Sequence, residues 1–184
     1  MKPFFKKFSI DGIEGLALYP YNSCLREMIF RYKGCFDYEM KYVFLSMALN
    51  ELKILYKGYV LVPSPSHENA RKERGFNHVE EAFSLLKLPV LDLLIKTEDI
   101  SQHNLKFNER IKVSSIIKLK KNIDLTGKKI LLIDDIVTTG STLRTSIKLI
   151  KELNPKLIKI LVIAKTEFTP EEKAKLDQNY PILD

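Results

Sequence analysis

Ile130-Leu131-Leu132-Ile133-Asp134-Asp135-Ile136-Val137-Thr138-Thr139-Gly140-Ser141-Thr142 is the stretch on which the fold turns. Ile130 to Ile133 are apolar without alternation, as in a central parallel strand buried on both faces. Two carboxylates, Asp134 and Asp135, follow at the expected strand end. A core does not hold two adjacent anions without partners, so both are expected to face a cleft. Thr138, Thr139, Gly140, Ser141 and Thr142 then supply amide and hydroxyl donors, and Gly140 permits a positive φ or a close approach. Leu143, Ile147 and Ile150 recur at i, i+4 and i+7, so a helix begins at the loop. Its first N–H groups and its dipole favour an anion. A phosphate cradle beside paired acids suits a ribose phosphate: phosphate in the loop, hydroxyls or a magnesium ion on the acids.

A nucleotide-hydrolysing P-loop protein can also end a strand in two acids, but it needs a Gly-x-x-x-x-Gly-Lys-Ser/Thr loop. The seven glycines, at 12, 15, 34, 58, 75, 127 and 140, supply none.

The run Asp134 to Thr142 closely resembles the signature of type I phosphoribosyltransferases, which bind phosphoribosyl pyrophosphate (PRPP). The resemblance implies that Asp134 and Asp135 hold the ribose hydroxyls, directly or with Mg²⁺, as the catalytic acids. It implies that Thr138 to Thr142 wrap the 5′-phosphate. Val62-Pro63-Ser64-Pro65 and Glu73-Arg74-Gly75-Phe76-Asn77 look like the Pro-rich loop and Arg-Gly-Phe-Asn element of the ComF family, phosphoribosyltransferase-like proteins linked in bacteria to competence and DNA uptake. Gln102, Leu105 and Arg110 are similar to that family's hood loop, and Tyr21 to Lys33 to its lead-in segment. Most of residues 19–166 is covered. Many members carry an N-terminal four-cysteine zinc ribbon; only Cys24 and Cys35 occur here, so no zinc is expected. Val113 stands where an Asn is usual, and Lys96 where an Arg is common.

Outside the signature, Tyr59 to Val62 reads as a second strand, closed by Pro63-Ser64-Pro65. Arg71, Lys72 and Arg74 follow, and with Ser64 they are expected to meet pyrophosphate, because guanidinium groups bind phosphate oxygens as a fork. Asn77 with Glu80 resembles a capping box for a helix that buries Val79, Ala82, Phe83 and Leu86. Ser23 is expected to cap a helix ended by Gly34, and Asp37 a second one burying Met40, Phe44, Met47, Ala48 and Leu55. Gly12 and Gly15 suggest a turn before a short strand at Leu16 to Tyr19. Val90 to Ile95 reads as a third strand, residues 96–115 as a lid-like loop, Ile116 to Leu119 as an edge strand, and Leu157 to Ala164 as the last strand. The tail from Thr169 looks helical.

The 184 residues are expected to form one domain, with 1–57 a helical, hood-associated segment and 58–168 the core. The implied class is α/β: a mostly parallel central sheet flanked by helices, with a flexible hood loop and the ligand at the carboxyl ends of the strands. No apolar run approaches the roughly 20 residues of a membrane span, and the basic N-terminus lacks a signal-peptide h-region, so a cytoplasmic location is expected. The formal charge is +7, and residues 96–129 hold nine Lys/Arg against four Asp/Glu. That excess suits a polyanion: PRPP, or single-stranded DNA. The basic stretches lack the dense aromatic interleaving of a base-stacking surface. The resemblance adds DNA-uptake proteins as partners.

Overall fold

A computed structural model describes residues 5–34, 38–65, 75–97 and 117–166. Strands β1 (Lys6–Ile10) and β2 (Ile13–Pro20) lead into helix α1 (Ser23–Gly34). A 3-10 turn (Tyr38–Met40) and two short helices follow, α2 (Lys41–Ser46) and α3 (Leu49–Leu55). Then come β3 (Tyr59–Pro63), α4 (His78–Phe83), β4 (Leu94–Lys96), β5 (Ile117–Leu119), β6 (Lys129–Val137), α5 (Ser141–Lys151) and β7 (Leu157–Lys165). The main sheet runs β1-β2-β7-β6-β3, parallel except for the β1/β2 hairpin.

The expected central strand is β6, between β7 and β3. Its apolar run alternates between two cores. Leu131 and Ile133 join a cluster built with α1 to α4, and Ile130 and Leu132 join one built with α5 and β4. All four are fully buried, which is why the run shows no polar alternation. Buried phenols tie the first cluster to the helices. Tyr19 donates to the carbonyl of Phe44 at 3.0 Å and Tyr32 to that of His78 at 2.8 Å. Burial pushes the Tyr19 pKa up, so the group stays a neutral donor. Lys41, 7% exposed, pairs with Glu81 at 3.1 Å and clips α2 to α4.

Several expectations are corrected. β6 continues through the acids to Val137, because β7 runs alongside to Lys165 and keeps the ladder formed. Residues 6–20 form a hairpin that joins the main sheet: the short strand expected at Leu16 to Tyr19 lies within the longer β2, and β1 pairs with it. Its turn is Asp11-Gly12, both at positive φ, the conformation a two-residue hairpin loop requires. Asn22, not Ser23, caps α1: its side chain accepts the amide of Leu25 at 2.9 Å. The helix expected from Asp37 breaks near Met47, leaving Met47 and Leu55 exposed while Phe44, Ala48 and Leu52 are buried; Asp37 itself lies outside the described residues. Val90 to Ile95 is not a full third strand. Val90 makes a single parallel bridge to Leu61, and Leu94–Lys96 turns away to pair with β5 in a separate two-stranded sheet.

Candidate active site

The site forms where β6 outlasts its neighbour. β3 ends at Pro63, and the amide of Ser64 gives the last bond to β6, reaching the carbonyl of Ile133 at 2.8 Å. The next two residues of β6 are Asp134 and Asp135. They therefore sit at the carboxyl edge of a parallel sheet, where one strand stops and its neighbour continues, the usual place for a ligand crevice in open α/β sheets.

The two acids are not equivalent. Asp134 is half-buried and, with Ile136, Val137 and residues 138–143, lines a hollow of about 40 Å³. Its Oδ1 accepts the Ser64 hydroxyl at 2.7 Å and the Asp135 amide at 2.9 Å. Asp135 is only 8% exposed, which corrects the expectation that both acids face the cleft alike. Its Oδ1 accepts the Ile136 amide at 2.7 Å, and its Oδ2 lies 3.5 Å from Nε2 of His78. The reason is geometric: successive strand residues point to opposite faces, so adjacent acids cannot share one environment.

The loop after β6 is held at both ends. The amide and hydroxyl of Thr166 both donate to the Val137 carbonyl, at 2.9 and 3.1 Å. Gly140 has φ +77 and precedes α5, and a Cβ there would come within 3.0 Å of the Ile10 side chain. The positive φ favours glycine here, and a Cβ would in addition press on the flexible end of the Ile10 side chain. Leu143, Ile147 and Ile150 anchor α5 in the core. A helix leaves its first amides without intrahelical acceptors. Here those belong to Ser141, Thr142 and Leu143, all lining the hollow. The hydroxyls of Thr139 and Ser141 lie 3.2 Å apart beside it. The amide of Ser141 donates to the Thr139 hydroxyl at 3.5 Å, and these donor-bearing residues line the same hollow as the Asp134 carboxylate.

Thr138 to Thr142 and Asp134 are thus brought together, with Asp135 next to them on the opposite face. Ser64, expected against pyrophosphate, is 5% exposed and spends its hydroxyl on Asp134. Arg71, Lys72, Arg74, Gln102 and Arg110 lie outside the described residues. His78 was missed: the Arg-Gly-Phe-Asn pattern stops one residue before it, and nothing local marks a first-turn histidine as the neighbour of a carboxylate 57 positions away.

A family model for the phosphoribosyl transferase domain matches residues 72–182. The chain is 34% identical over 154 residues to competence protein ComFC of Streptococcus pneumoniae, covering 84% of this chain and 69% of that protein. It is 33% identical over 138 residues to competence protein ComFC of Bacillus subtilis, covering 74% of this chain and 57% of that protein. Its backbone superposes on an adenine phosphoribosyltransferase with a TM-score of 0.48 at 13% identity, over 94% of this chain and 89% of that one. The fold is type I phosphoribosyltransferase-like α/β. The chain belongs to the phosphoribosyltransferase family, among its ComFC-like members.

Proposed function

We propose that this chain is a cytoplasmic protein that binds PRPP with Mg²⁺ at the carboxyl edge of β6 and serves competence, as the names of its ComFC relatives suggest, and through it DNA uptake. The observation that carries the PRPP reading is the shared hollow: the donor loop 138–142 and the carboxylate of Asp134 line the same space. The loop takes the 5′-phosphate, and Asp134 and Asp135 take the ribose hydroxyls. Asp134, the acid that lines the hollow, also fits Mg²⁺, which is bound by one or two carboxylates together with substrate phosphates; its charge would offset that of the pyrophosphate.

In a transfer reaction the bond from ribose C1 to pyrophosphate breaks, pyrophosphate leaves with the electron pair, and an acceptor forms the new bond to C1. The chain's part is to hold the two ends of PRPP still and to offer donors where charge gathers. Arg71, Lys72 and Arg74 are the residues proposed for the pyrophosphate end.

Calorimetry with PRPP, pyrophosphate and ribose 5-phosphate, each with Mg²⁺, tests this. Arg71→Ala with Arg74→Ala is expected to weaken PRPP and pyrophosphate by about ten- to hundred-fold, the loss of one or two charge-assisted bonds. Ribose 5-phosphate should change less, because it lacks the group those residues grip. Equal affinity of the wild type and the double variant for pyrophosphate would sink the assignment. Release of pyrophosphate with a candidate base scores transfer; saturable binding without release scores a PRPP sensor.

A second reading, single-stranded DNA binding, is favoured by one observation. Lys118, Lys121 and Lys128 are all exposed within the basic stretch 96–129. Oligonucleotide binding that falls steeply with salt, and that persists in the Arg71/Arg74 variant, would place DNA on that surface.

A further inference from the structure

We propose that His78 is a positioning residue that holds Asp135 in the orientation in which the acid pair receives ribose hydroxyls, a role that rests on the PRPP reading. Three observations converge on it. First, the backbone of His78 is fixed. Asn77 caps α4 by accepting the amides of Val79 and Glu80 at 3.2 and 3.4 Å, and the His78 carbonyl accepts the Tyr32 hydroxyl at 2.8 Å. Tyr32 is itself wedged between the rings of Phe44 and Phe76, at centroid distances of 5.4 and 5.9 Å. Second, the imidazole is buried, with its side chain 9% exposed, and its Nε2 faces Asp135 Oδ2 at 3.5 Å. Third, the opposite oxygen of that carboxylate accepts the Ile136 amide at 2.7 Å. Oδ1 is thus held by a hydrogen bond to its own strand, whereas Oδ2 is buried without a hydrogen bond among the described residues and has the imidazole as its charged neighbour, so the ring fixes the carboxylate by packing and charge and leaves Oδ1 as the oxygen that can meet a hydroxyl.

A carboxylate that could turn about its last torsion would present its lone pairs to a sugar in many directions, and ordering it would subtract from the binding free energy. The contact at 3.5 Å is longer than a tight N–H···O bond, and such contacts commonly shorten once the ligand is bound. The arrangement also runs from α1 through Tyr32 and His78 to the acid pair on β6, so the helical layer is keyed to the ligand edge of the sheet.

The test uses four variants of the full chain: His78→Leu, which keeps bulk and removes the ring nitrogen; His78→Gln, which returns an N–H donor; Asp135→Asn; and His78→Leu combined with Asp135→Asn. Affinities for PRPP, ribose 5-phosphate and pyrophosphate are measured with Mg²⁺, and unfolding is measured without ligand. His78→Leu is expected to weaken PRPP and ribose 5-phosphate by about tenfold and to leave pyrophosphate unchanged within about twofold. His78→Gln should recover most of the loss. In the Asp135→Asn background, His78→Leu should add little, because the group it positions has already been altered. Equal weakening of all three ligands, no recovery in His78→Gln, or full additivity in the double variant would each overturn the proposal. A wild-type chain that binds neither PRPP nor ribose 5-phosphate overturns the PRPP reading instead. The unfolding cycle then decides the remaining part: additive losses mean that His78 does not hold Asp135, and coupled losses mean that it does.

Discussion

Ser141→Asp is expected to abolish PRPP binding at working concentrations while leaving the melting temperature unchanged or slightly raised. Ser141 is the first residue of α5, and it lines the hollow together with Asp134. A carboxylate there replaces a donor by a charge of the same sign as the phosphate. Two like charges about 4 Å apart repel by about 4 kcal/mol at an effective dielectric constant near 20, and a loss of that size is on the order of a thousandfold in affinity. The same substitution favours the helix, since an acid in the first turn interacts well with the N-terminal dipole, by about 0.3–1 kcal/mol. Binding and stability should therefore move in opposite directions. Isothermal titration with PRPP and a melting curve on one preparation check both. Unchanged PRPP affinity would remove the 138–142 loop from the phosphate site. A collapse in melting temperature would mean that Ser141 holds the loop rather than the ligand.

That contrast was legible in the sequence because its causes are local. Five small donor residues follow a strand, and a helix periodicity starts at once. The same holds for the Asn77 cap, where a side chain reaches amides two and three residues on. What was not legible depends on partners distant in the chain. The two acids look alike in a row of letters. Only the pleat, and α4 lying over one face, set Asp134 on the hollow and Asp135 against His78. Strand β6 reads as ending at Ile133 because acids are poor strand residues; β7, some 28 positions later, carries the ladder on to Val137. Lys6 to Ile10 does not read as a strand by composition, yet pairing with β2 makes it one, and Ile10 then packs under Gly140. The hairpin was within reach, since Asp11-Gly12 is a strong two-residue turn signal.

Between the loop and the acids lies a division of labour that follows from topology. The unit β6–α5 supplies both the donors and the carboxylates. The unit β3–α4 supplies Ser64 to one acid and His78 to the other. These two residues flank the segment that carries Arg71, Lys72 and Arg74. The chain thus ties the residues proposed for ribose to both ends of the stretch proposed for pyrophosphate, so substitutions in one unit should be felt in ligands of the other.

Leu131→Ala and Leu132→Ala are expected to cost similar amounts of stability, about 2–5 kcal/mol each. Both side chains are fully buried, but they enter different cores: Leu131 the cluster under α1 to α4, Leu132 the cluster under α5. Each deletion removes apolar contact and leaves a cavity that a strand hydrogen-bonded on both sides cannot collapse around. For a chain of this size, 1 kcal/mol moves the melting temperature by about 2–4 °C, so each variant should melt roughly 5–20 °C below the wild type. Leu157→Ala is the control. It begins β7 and is 40% exposed, so it should cost under about 1 kcal/mol, as less of its surface leaves water on folding. Denaturant titrations of the three variants separate the alternatives. Similar large losses at 131 and 132 with little at 157 are the pattern of a strand covered on both faces. Tolerance of alanine at 132 but not at 131 would mean that α5 does not cover its face of the sheet. The helix whose first residues line the hollow would then lack the anchorage that the proposed phosphate site requires.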